Sequence, residues 1–205
     1  IYLSRLPYEE QLHWKQYNEP PKAPLSERAI KTDFEGQFYE GYDPLPSLKR
    51  KLKELHSQGA QWWVLRDDNA PDKVHYPYTE SKDEWAEEIL NLDQLLVEGL
   101  QEKWLRKKAK ELGCKPDDRL RALKLLEAIL VAVDFEQDHA REIMTPFHIV
   151  HNLRSILKGH TSGTEAENER KNALKDYGSF RGHFEKICSD CDESIEIITK
   201  AIKEI

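Results

Sequence analysis

The chain has little of what would fix a protein outside the cell or within a membrane. Its three cysteines, Cys114, Cys188 and Cys191, make no even disulfide framework, and a cytoplasmic setting fits them best. No apolar run approaches the ~20 residues of a membrane helix; the longest, residues 128–133, is closed off by Glu127 and Asp134. The nine glycines are scattered, so no Walker or dinucleotide-binding loop is present. No secretory signal is visible. The chain starts at Ile1 and not at methionine, which leads us to expect a segment of a longer protein.

Charge is plentiful. Charged residues make up 34% of the chain and the net charge is −7, yet apolar residues recur periodically. That combination describes a soluble helical protein and not a disordered one. The acidic balance opposes strong non-specific nucleic-acid binding, which rests on neutralising phosphates.

Residues 1–80 and 81–205 differ in character, and we read them as two regions. The first holds eight of the ten prolines and is expected to be α+β. Helices are predicted over residues 9–17, 26–34 and 46–57. A β-hairpin is predicted near residues 61–78, where Gln61-Trp-Trp-Val-Leu-Arg66 and Lys73-Val-His-Tyr-Pro-Tyr78 flank a turn-rich centre, with Pro77 confined to an edge. Trp62 or Trp63 should pack on the helices, the alternative being an aromatic surface that stacks bases.

From residue 81 the pattern is helical, and the fold class is mostly α with a C-terminal helical bundle. Ser81-Lys-Asp-Glu84 is a capping box. The stripe Trp85, Ile89, Leu92, Leu96 and Leu100 predicts one helix reaching about Leu112. Residues 120–135 are apolar nearly all round and should be the most buried helix. Thr145-Pro146 reads as a new helix start, leading into Phe147, Val150, Leu153 and Leu157. Residues 165–176 form a polar helix. The last helix places Phe184, Ile187, Cys191, Ile195, Ile198, Ile202 and Ile205 on one seam.

Near the end of the helix after Pro146, Arg154 and His160 stand with five residues between them. A permanently charged guanidinium beside an imidazole that titrates near neutrality suits a phosphodiester. Spacing alone has little weight: about 1.3 such pairs are expected by chance in a chain of this composition. Arg50/His56, Arg141/His148 and Arg154/His160 are the pairs found. Only the last combines an apolar helix, a polar Ser155 after the arginine and a small-residue exit after the histidine.

Leu153-Arg154-Ser155-Ile-Leu-Lys-Gly-His160 resembles the Arg-x(4–6)-His signature of HEPN domains, all-helical modules of prokaryotic toxins, CRISPR effectors and antiphage proteins. The resemblance spans residues 81–205. It implies a metal-independent endoribonuclease in a defence or toxin-type protein, acting on single-stranded RNA as a homodimer that joins two motifs. His160 would take the 2′-hydroxyl proton and Arg154 would stabilise charge on the scissile phosphate, with a second protomer's pair supplying the acid. The family usually has Asn, Asp or His after the arginine, where this chain has Ser155. Some members carry a modified tyrosine two residues past the histidine; that position is Ser162 here.

Other readings compete. Cys188-x-x-Cys191 and His148-x-x-His151 are four residues of zinc-ligand type. Cys191, however, lies on the apolar seam and neither pair sits in a glycine-rich knuckle, so we read ordinary helical thiols and expect no metal or cofactor. Lys103, Arg106, Lys107, Lys108 and Lys110 form a basic cluster, read as a cationic helix end complementing the dipole. The competing functional class is a helical dimerisation or interaction module that contacts other parts of a larger parent protein.

Overall fold

The computed structural model describes residues 5–15, 27–38, 41–159, 163–203 and 205. Two compact units divide the chain, residues 1–42 and 43–205. In the first, α1 (Tyr8–Lys15) buries none of its residues. A short helix, α2 (Glu27–Ala29), widens into a π turn over Ile30–Phe34. Glu35 N closes that turn by donating to the Ile30 carbonyl at 3.0 Å, five residues back as a π turn requires.

The regular elements of the second unit are all helices. It comprises α3 (Pro44–Ser57), α4 (Ala70–Lys73), α5 (Lys82–Leu96), α6 (Glu102–Glu111), α7 (Ala122–Ala132), α8 (Gln137–Gly159), α9 (Thr164–Tyr177) and α10 (Phe180–Lys203). Residues 43–80 share its core with the bundle. Leu45, Leu48, Leu52 and Leu55 recur at three- and four-residue spacing and are buried on α3, which packs along α10. Lys51 Nζ reinforces that contact, 3.0 Å from the buried Asp192 carboxylate and 2.9 Å from Glu196.

The hairpin expected at residues 61–78 does not form. Among the described residues there is no strand, only an isolated antiparallel bridge between Trp63 and Leu100. Pro71 lies within α4 in the middle of the expected turn. Trp62 and Trp63 are both buried, whereas neighbouring residues of a half-buried strand point to opposite faces. The backbone of residues 62–64 pairs with the connection between α5 and α6. Val64 N donates to the Gly99 carbonyl at 3.0 Å, and Gln101 N donates to the Trp62 carbonyl at 2.8 Å. Tyr76, on the expected second strand, instead ties the start of α3. Its hydroxyl donates to Asp43 at 2.5 Å and accepts from Leu45 N at 3.1 Å.

The same contact breaks the helix expected to reach Leu112. At Gly99 an added Cβ would stand 2.7 Å from Trp63 Cε2 and 2.8 Å from the Val64 carbonyl oxygen. Only glycine admits that approach, so α5 ends at Leu96 and α6 starts at Glu102. The capping box of α5 is modified. Ser81 Oγ accepts from Glu84 N at 3.4 Å, but the Glu84 carboxylate accepts from Tyr78 N and Thr79 N.

Helix α8 packs against α5, α7, α9 and α10. In α7, Leu123, Leu125, Leu126, Ile129 and Leu130 are buried. Val133 is only half-buried and Val131 is exposed, so the apolar character of α7 exceeds its burial. No new helix begins at Thr145-Pro146; α8 runs through Pro146 from Gln137. An internal proline loses one backbone hydrogen bond and costs on the order of 3 kcal/mol. Ala140, Ile143, Met144, Phe147, Val150, Leu153 and Leu157, all buried on α8, hold the helix together across it.

Gly178, at φ 74°, ends α9 with its N–H donating to the Leu174 carbonyl at 3.0 Å, a left-handed stop that suits glycine. The seam of α10 is buried from Phe184 through Ile202, while Ile205 is exposed. No helix of the described residues is long and apolar enough to cross a membrane.

Candidate functional site

Arg154 lies in the last third of α8; His160 and Ser162 lie outside the described residues. The structure brings Arg154 together with Asp93 and His151. Asp93, on α5, is 1% exposed. One of its oxygens takes a hydrogen bond from His151 Nδ1 at 3.0 Å, and the other lies 3.7 Å from Arg154 Nε. A carboxylate taken out of water needs charged or hydrogen-bonding partners. His151 and Arg154 meet that need from one turn of α8, three residues apart and so on one face.

The two side chains face both ways. They are 44% and 39% exposed, so each touches the buried carboxylate and still reaches solvent. Burial pushes the Asp93 carboxyl up from its ordinary range, and the His151 hydrogen bond and the charges of His151 and Arg154 oppose that rise. With Asp93 ionised, the Nδ1 position of His151 carries the proton. Nε2, on the opposite edge of the ring, then holds the lone pair.

One turn earlier, His148 Nε2 lies 3.7 Å from Glu127. Glu127 is also held by Lys124 at 2.7 Å. Burial, with Lys124 close by, lowers the His148 pKa, and Glu127 works against that. The two histidines of the zinc reading therefore each face a carboxylate. Cys188 and Cys191 are fully buried on α10, and burial raises both thiols. Among the described residues no group of three or more His, Cys, Asp or Glu side chains could hold a metal ion.

Most of the remaining candidates are engaged elsewhere. Within the basic cluster, Arg106 pairs with Glu102 at 3.2 Å, and Lys107 and Lys108 each lie 3.7 Å from Glu111. Trp62 and Trp63 are buried and offer no base-stacking surface. Of the other Arg/His pairs, Arg50 approaches Glu54, His56 accepts from Leu65 N, and Arg141 pairs with Asp138.

Sequence reasoning missed Asp93 altogether and saw His151 only as a zinc-type residue. A signal was present: Asp93 falls four residues after Ile89 and three before Leu96, on the apolar stripe of α5. A carboxylate at a core position implies a cationic partner, but the sequence does not say which of thirty-one Lys and Arg residues, or which histidine, supplies it. No family model matches the chain, and comparison with curated proteins and with solved structures gives no match either.

Proposed function

We propose that residues 81–205 form a HEPN-like domain of a defence or toxin-type protein that cleaves single-stranded RNA without metal. The observation that carries this reading is Arg154, its Nε held 3.7 Å from a buried carboxylate while its side chain stays 39% exposed. A cation fixed in this way is pre-organised to stabilise charge developing on a scissile phosphate. In this reading His160 takes the 2′-hydroxyl proton, and a second copy of the chain contributes the acid for the leaving 5′-oxygen.

The purified protein should then cut single-stranded RNA in the presence of a chelator and leave a cyclic phosphate end. Single-stranded DNA, lacking the attacking hydroxyl, should resist. Arg154→Ala should cripple cleavage and Arg141→Ala should not. Cutting of DNA, or cleavage indifferent to Arg154→Ala, would refute the mechanism.

A second reading, a non-catalytic dimerisation or interaction module, draws on the same ion pair. Arg154 already has a carboxylate partner, and a net charge of −7 weakens attraction to a polyanion. A folded protein that neither binds nor cuts RNA but associates with itself or with its parent chain would favour this module.

A further inference from the structure

We infer that His151, oriented by Asp93, is the proton acceptor of this site, taking the role that the motif alone would give to His160. The inference rests on the ribonuclease reading above and deepens it. Its basis is geometric. The Asp93 carboxylate is buried on α5 and fixes the His151 ring by a 3.0 Å bond at Nδ1. A carboxylate in that position sets the tautomer, leaves Nε2 of the half-exposed ring as the base, and stabilises the imidazolium that forms when Nε2 takes a proton. Arg154 touches the same carboxylate from the next turn, so phosphate-binding cation and base are registered by one buried group.

The step balances without a further reactant. Nε2 of His151 takes the proton of the RNA 2′-hydroxyl, and the freed oxygen attacks the adjacent phosphorus. The bond from phosphorus to the 5′-oxygen breaks as the 2′,3′-cyclic phosphate forms. The leaving 5′-oxygen takes a proton from the acid that the second copy contributes, and that acid regains one from the water to which His151 releases its own. Arg154 balances the added negative charge on the phosphoryl oxygens. Asp93 is a positioning residue, since it reaches the substrate only through His151. The charged and titratable neighbours are Asp93 and Glu98 from the α5 side, His148 and Arg154 along α8, and Lys124 and Glu127 on α7.

The test compares cleavage of an RNA oligonucleotide by the full chain and by His151→Ala, Asp93→Asn and Arg141→Ala, with folding checked by circular dichroism. His151→Ala should lose at least about 100-fold in rate, the usual yield of a positioned general base, and added imidazole should restore part of it. Asp93→Asn should also slow the reaction and alter its rise with pH, because an amide leaves the wrong tautomer in place. Arg141→Ala should match the parent. A folded His151→Ala protein with the parent's rate and pH profile would overturn this assignment while leaving the nuclease reading standing. A parent chain that cuts no RNA would overturn both.

Discussion

Trp63 and Gly99 occupy one space. The Trp63 indole N–H donates to the Leu96 carbonyl at 2.9 Å, and its ring lies where a side chain on residue 99 would have to go. This contact ends α5, turns the chain into α6 and fixes residues 62–64 against the bundle.

Gly99→Ala should therefore destabilise the protein by about 1–3 kcal/mol, the usual cost of forcing atoms into a packed site. Urea unfolding monitored by tryptophan fluorescence checks it. An unchanged midpoint would mean that the indole moves aside without cost.

Ile129→Ala should cost about 2–5 kcal/mol, as for other fully packed aliphatic side chains, since Ile129 is 0% exposed on α7. Val131→Ala, on the same helix but exposed, should change stability far less. Paired denaturation curves decide between uniform and one-sided burial of α7.

Acid should weaken the fold through His183. Its ring lies 5.4 Å from Trp85 and 4.9 Å from Tyr177, centroid to centroid, and burial lowers its pKa from 6.5 to about 4. A lowered folded-state pKa means that the neutral ring contributes stability above the unfolded value of 6.5. That contribution is lost as pH falls toward about 4. His148, also lowered, acts in the same sense. Unfolding midpoints of the parent should drop across this window, and those of His183→Phe should drop less.

Arg154→Ala should destabilise the protein more at neutral than at acid pH. Burial raises Asp93 and Arg154 opposes the rise, so removing the guanidinium moves the Asp93 pKa further up. A raised folded-state carboxyl favours the fold below the unfolded pKa and loses that contribution as pH rises through the folded value. The gap between variant and parent midpoints should widen from about pH 4 to pH 7. A gap independent of pH would show that Arg154 and Asp93 are not coupled.

Elemental analysis should find well under one zinc per chain. Cys188 and Cys191 are buried on α10, while His148 and His151 face Glu127 and Asp93. Stoichiometric zinc lost on changing Cys188 or His148 would contradict that geometry.

The sequence by itself determined the helices whose apolar stripes are long and regular. The faces of α3, α5 and α10 are written in three- and four-residue spacing, which needs no partner to be recognised. Burial of one of Trp62 and Trp63 was legible as well, from size and apolar character; the fold buries both. Tertiary structure decided what depended on distant residues. Trp62-Trp63 reads locally as a strand, but the pair closes on Gly99 across the α5–α6 connection. Pro146 reads locally as a helix start, but the core contacts on both sides carry α8 through it. The site was split in the same way. Arg154 stood out by its spacing, whereas Asp93 and His151 became its partners only when α5 packed on α8, 58 residues apart in the chain. A buried charge selects its counterion by proximity in the folded state, and proximity at that separation is set by packing and not by local pattern.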